Sequence, residues 1–131
     1  MTIVIDAGAV ASALLSSGED GEWALSLLAD HHLAAPHQMP VEAANVLRRA
    51  KLVGRIDART AAVAHDDLRD LRVELFGFEA FAARACELRE SVTIYDAWYV
   101  ALAEHLDAPL ATLDVRLSRA PGPRCAFLTP R

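Results

Sequence analysis

The stretch Val92–Leu117 constrains this 131-residue chain more than any other. Ala97, Val100, Ala101 and Leu102 recur with helical rather than alternating spacing, so a helix is expected to open at Asp96. Pro109 forbids its continuation through the turn Asp107-Ala108-Pro109. A short buried strand, Leu110–Thr112, is expected next, with the carboxylate of Asp114 just beyond its end. One helix start and one strand end thus each present an acid, with a single turn between them. If that strand runs parallel to its neighbours, its carboxyl end lies at the rim where open α/β sheets place their ligands.

The rest of the chain alternates strands with helices. Thr2–Ile5 is a β-branched run ending in Asp6 and small residues, the pattern of a central strand leading into a helix over about 9–15. A loop is expected over Ser16–Gly21, a helix over Glu22–His31, and a short strand at Leu33–Ala35 stopped by Pro36. Pro40 opens a helix carried by Val41, Ala44, Val46, Leu47 and Leu52 to Gly54. A helix over Asp57–Leu71, a strand at Val73–Phe76 and a helix over Phe78–Arg89 follow, and Cys125–Leu128 closes as a last strand. This order predicts one α/β domain over residues 1–131: a three-layer arrangement with a mostly parallel sheet of four to five short strands flanked by helices.

Hydrophobic residues make up 53% of the chain, which argues against disorder. Charges interrupt every apolar run well before the length of a membrane span. The run Ala7–Leu15 follows an Asp and has no basic segment before it, which argues against a secretory leader. Cys86 and Cys125 lack metal-ligand spacing and read as reduced thiols of a cytoplasmic protein. The net charge of −5 is not that of a nucleic-acid binder, yet residues 48–55 carry Arg48, Arg49, Lys51 and Arg55 and no acid. Such a strip can engage a polyanion or simply complement the end of its helix.

Four acids occupy element edges: Asp6, Glu42, Asp96 and Asp114. Each Asp has a purely structural reading as a helix N-cap, and Glu42 as a partner of the positive end of its helix. Their joint pattern points further. The only lysine is Lys51, and Arg116 is the one arginine close in sequence to any of the three aspartates. Carboxylates within ~4 Å of one another cost on the order of 4 kcal/mol per ionised pair at an effective dielectric of ~20. A cluster is tolerable only when partly protonated or holding cations, and oxygen ligands at an open rim select Mg²⁺ or Mn²⁺. The chemistry best served is phosphodiester hydrolysis. A receiver domain would need paired acids after the first strand and a late lysine. A haloacid-dehalogenase-type phosphatase would need an Asp where Gly8 stands, and no Gly-rich loop precedes a lysine as a nucleotide site requires. The five histidines show no ligand pairing.

These residues resemble a PIN-domain ribonuclease of the VapC toxin type. The likeness runs through Ile3-Val4-Ile5-Asp6-Ala7, Pro40-Val41-Glu42-Ala43-Ala44-Asn45-Val46-Leu47-Arg48-Arg49, Tyr95-Asp96-Ala97-Trp98-Tyr99-Val100-Ala101-Leu102-Ala103, and Ala111-Thr112-Leu113-Asp114-Val115-Arg116-Leu117. The resemblance implies that Asp6, Glu42, Asp96 and Asp114 form a metal-binding acidic pocket, with Thr112 as a supporting hydroxyl. It implies a Mg²⁺-dependent endoribonuclease, with Mn²⁺ a substitute, acting on transfer or ribosomal RNA. It also implies neutralisation by a cognate VapB-type antitoxin and assembly as a homodimer. Asn45 shares a helix face with Glu42 and is expected to orient it, while Arg49, one turn further, is expected to contact phosphate together with Arg48 and Lys51. Gly8 departs from the hydroxyl residue the family often carries there. That departure keeps a catalytically silent binding module open as the alternative, with a small-molecule phosphohydrolase the third.

Overall fold

The computed structural model describes residues 1–130. Its strands are β1 (Thr2–Ile5), β2 (His32–Pro36), β3 (Glu74–Phe76), β4 (Leu110–Ala111) and β5 (Phe127–Leu128). Its helices are α1 (Ala7–Leu15), α2 (Gly18–Asp30), α3 (Met39–Leu52), α4 (Ala58–Asp70), α5 (Ala82–Glu87), α6 (Ile94–Leu106) and α7 (Val115–Ser118). The strands form one wholly parallel sheet in the order β3-β2-β1-β4-β5. β1 is its centre: Val4 is paired with Ala34 on one side and with Leu110 on the other. Ile3, Val4 and Ile5 are fully buried, as expected for a strand covered on both faces. α6 packs on β1, β2 and β4 with α5 against it, and α1 packs against α2, α3 and α4.

The strand order reverses once. From β1 the chain builds outward through β2 and β3, then returns to add β4 and β5 on the opposite side. The crevice outside the carboxyl ends of β1 and β4 is therefore a topological switch point, where open α/β sheets bind ligands.

Several boundaries differ from the sequence reading. α2 starts at Gly18, taking up most of the expected loop, because Glu19 and Asp20 complement the positive end of the helix. Gly21 suits this early start, since a Cβ there would lie 3.0 Å from the Ser12 carbonyl oxygen of α1. The expected helix over 78–89 divides into a 3-10 turn, Glu79–Phe81, and the short α5. α6 begins at Ile94 rather than Asp96, because the Thr93 side chain caps it by accepting from the Asp96 N–H. On α3 the buried stripe is Met39, Ala43, Leu47 and Ala50, whereas Val41 and Leu52 are 73% and 62% exposed. Both belong to the apolar pattern that marks this helix, and neither joins the core. The inward face that packs on α1 combines Met39 and Leu47 with the small Ala43 and Ala50.

Candidate active site

Asp6 follows directly on the buried β1 and is the deepest of the four acids. Its two carboxylate oxygens have separate tasks. Oδ1 accepts from the Ala9 N–H at 2.9 Å and so caps α1, and Oδ2 accepts from the Thr112 hydroxyl across the switch point. The N-cap reading of Asp6 is thus correct without exhausting its role. Burial raises its pKa from 3.8 to about 6, against the lowering effect of both hydrogen bonds and with further upward pressure from Asp96 and Asp114.

Thr112 is fully buried one residue past β4 and joins two acids. Its hydroxyl donates to Asp6, and the same oxygen accepts from the Asp114 N–H at 2.9 Å. Asp114 in turn caps α7 through the Leu117 N–H at 3.2 Å and is exposed at the rim. Beside it a recess of about 370 Å³ opens between Leu113, Val115, Ser118 and Arg119.

Asp96 stands in the first turn of α6 without capping it. Burial is the main cause of its raised pKa, and Asp114 adds to it. Glu42, in the first turn of α3, is also raised, first by burial and then by Asp96, while a hydrogen bond from Tyr99 opposes the shift. The coupling therefore runs from Asp6 to Asp96 and Asp114, from Asp96 to Asp114, and from Glu42 to Asp96. All four acids are brought to one notch.

Among the described residues the ion pairs are His32–Glu74, Arg69–Asp66, Arg84–Glu87 and Arg84–Glu104, all elsewhere. The four coupled acids, three of them raised by burial, form no ion pair among the described residues. An all-oxygen donor set of this kind suits a hard divalent ion. As placed, no three His, Cys, Asp or Glu side chains among the described residues converge into a finished ligand shell. The arrangement fits an open site in which one or two carboxylates bind directly and water or substrate oxygens complete the coordination, the usual habit of Mg²⁺.

The supporting residues divide. Thr112 takes the place expected of it. Asn45 is exposed and makes no side-chain hydrogen bond to Glu42. That bond comes instead from Tyr99, whose hydroxyl donates to Glu42 Oε1 at 2.9 Å. Sequence reasoning missed Tyr99, although its position three residues after Asp96 puts both on one face of α6. Arg49 is exposed two helical turns beyond Glu42, on the same side. Arg48 and Lys51 line the groove between α3 and α4, and Lys51 projects about half a turn around the helix from Glu42. Cys86 and Cys125 are free thiols, and burial pushes Cys125 up to about 11.

The family model for the PIN domain matches residues 3–123. Ribonuclease VapC1 of Mycobacterium tuberculosis is 40% identical over 123 residues, which is 93% of this chain and 92% of that protein. PAE2754 from Pyrobaculum aerophilum shares the fold with a TM-score of 0.70 at 22% identity, over 97% of this chain and 83% of that one. VapBC2 from Rickettsia felis, crystallised bound to a DNA fragment from their promoter, gives a TM-score of 0.65 at 14% identity over 98% of each chain. The acids at the switch point and the extent of these matches agree: the chain belongs to the PIN-domain family, in its VapC branch.

Proposed function

We propose that this chain is a divalent-metal-dependent endoribonuclease and the toxin of a toxin–antitoxin pair. The observation that carries this reading is the electrostatic coupling of Asp6, Glu42, Asp96 and Asp114 at one notch, with the carboxyl pKa values of Asp6, Glu42 and Asp96 raised by burial and no ion pair to any of the four among the described residues. The similarity to a relative named as a ribonuclease supports the substrate class. Asp6, Asp96 and Asp114, with Glu42, would hold Mg²⁺, and Mn²⁺ would substitute. When bound, such an ion activates water and neutralises charge growing on the scissile phosphate.

The chain's own groups do the rest. Asp6 is fixed by Ala9 and Thr112, so its remaining lone pairs face the notch in one orientation. Thr112 holds Asp6 and Asp114 at a set separation. No histidine belongs to the cluster, so a carboxylate or solvent receives the proton released by the attacking water. Arg49, exposed on the side of α3 that carries Glu42, would meet the phosphate backbone, and Arg119 borders the recess beside Asp114. Transfer or ribosomal RNA is the proposed substrate, a VapB-type antitoxin tail the proposed inhibitor of the notch, and a homodimer the proposed assembly.

The test is cleavage of structured RNA with Mg²⁺ and with EDTA, comparing wild type with Asp96→Asn. Cleavage that needs the metal and is lost in the variant is expected; equal activity in the two proteins removes the assigned role. Gly8 favours a second reading, a silent binding module of the same fold. A rise in melting temperature with Mg²⁺ but no cleavage of any RNA would support it.

A further inference from the structure

Tyr99 has an environment that its place in a helix does not require. Its side chain is among the largest fully buried ones, yet its hydroxyl reaches a carboxylate on another helix, 57 residues away in sequence. The phenol oxygen donates to Glu42 Oε1 at 2.9 Å. Its own backbone lies three residues after Asp96 in α6. One hydroxyl therefore joins the first turn of α3 to the helix that carries Asp96. Gln38 reinforces this junction by donating from Nε2 to the Tyr95 carbonyl oxygen at 3.2 Å.

Glu42 needs such a tether. It stands on a three-bond side chain at a half-exposed helix end, and among the described residues no arginine or lysine pairs with it. Facing Asp96 across the notch, an untethered carboxylate would swing toward solvent, where repulsion is smaller. The phenol occupies Oε1 and leaves Oε2 without a protein hydrogen bond among the described residues.

We propose that Tyr99 is the positioning residue that holds Glu42 in the acidic notch, so that the second oxygen of Glu42 is available to a divalent cation. Tyr99 does not touch substrate and acts only through Glu42. The inference rests on the reading of the notch as a metal-dependent nuclease centre. In metal sites generally, losing a hydrogen-bonding partner of a ligand costs about 10–100-fold in affinity or activity.

The experiment uses the full chain and the variant Tyr99→Phe, which keeps the ring and removes only the hydroxyl. Mn²⁺ binding is followed by calorimetry without RNA, RNA cleavage by kcat and KM with Mg²⁺, and folding by urea unfolding in EDTA. The expected result is an Mn²⁺ Kd raised about 10-fold or more and a similar fall in kcat, with KM for RNA within about twofold of wild type. The double variant with Glu42→Gln should be no worse than Glu42→Gln alone, because Tyr99 acts only through the carboxylate that Glu42→Gln has already removed. A Tyr99→Phe protein with wild-type Mn²⁺ affinity and kcat overturns the assignment, whatever its stability, and so does full additivity in the double variant. If that variant fails to fold, Glu42→Asp withdraws the carboxylate from the phenol and leaves the core intact; wild-type Mn²⁺ affinity there is equally fatal. Wild type is the control for the underlying reading: a protein that neither binds Mn²⁺ nor cleaves RNA refutes the metal centre itself, and the role of Tyr99 with it.

Discussion

Replacing Asp6 with Asn should make the metal-free protein more stable at neutral pH. The folded carboxyl has its pKa raised from 3.8 to about 6, first of all by burial. A rise of that size corresponds to about 3 kcal/mol between the protonated and ionised forms. The folded state binds this proton more tightly than the unfolded chain, so it carries more protons between pH 4 and 6, and stability is lost as pH rises through that window. Asn carries no charge and escapes the loss. It places an amide donor opposite the Thr112 hydroxyl, whose oxygen already accepts from the Asp114 N–H, at a cost of about 1 kcal/mol. The net gain at pH 7 is then about 2 kcal/mol, whereas at pH 4 the variant should be equal to wild type or slightly weaker. Urea unfolding in EDTA at the two pH values measures both. The decisive quantity is the change in the variant-minus-wild-type difference, expected to be about 2 kcal/mol from pH 4 to pH 7. A difference that does not move with pH would refute the buried, charge-strained Asp6. Saturating Mn²⁺ should reverse the order at pH 7 by stabilising wild type and leaving the variant unchanged.

Thr112→Val should destabilise the fold by about 1–3 kcal/mol, since it strips a buried carboxyl and the Asp114 N–H of their shared partner. Carboxyl-carbon NMR titration should place the Asp6 pKa of that variant above about 6, because the lost hydrogen bond lowers it in wild type. Gly8→Ser should fold normally and gain about 0.5–1 kcal/mol, because a Cβ there meets only Asp6 Oδ1, at an ordinary 3.7 Å. Its RNA cleavage rate should rise, and a fall would show that the missing hydroxyl is not what limits this pocket. Arg84→Ala should cost about 2 kcal/mol in thermal unfolding. It leaves the mostly buried Glu104 without the guanidinium that binds it at 2.8 Å and that also donates to the Gly122 carbonyl oxygen. Amide exchange at Arg124, whose N–H donates to Glu104 at 2.7 Å, should accelerate in step.

Much of the frame is legible in local sequence. The β-branched run before Asp6, the helical recurrence after it, and Pro109 between α6 and β4 each act within a few residues, and each element they predict is present. The acids were legible for the same reason: they stand where strands end and helices begin, and such edges are marked by composition. What escaped notice depends on another part of the chain. Composition reads Ser16–Gly21 as a loop, but Gly21 belongs to a helix seated close on α1. Helical spacing makes Asn45 a neighbour of Glu42, but the hydrogen bond comes from Tyr99 on α6. Val41 and Leu52 belong to the apolar pattern that marks α3 as a helix, but which of its faces is buried depends on its neighbours, and both side chains are exposed.

By itself the sequence determined which segments become strand or helix and which edges carry a carboxylate, because backbone propensity, capping and periodicity are properties of neighbouring residues. Only the tertiary structure decided that β4 lies beside β1, so that Thr112 bonds to Asp6 across 106 residues and four acids, none ion-paired among the described residues, are coupled to one another in pairs. That choice belongs to the packing of the whole sheet, since burying β1 on both sides is what forces its charged end and that of β4 into the same cleft.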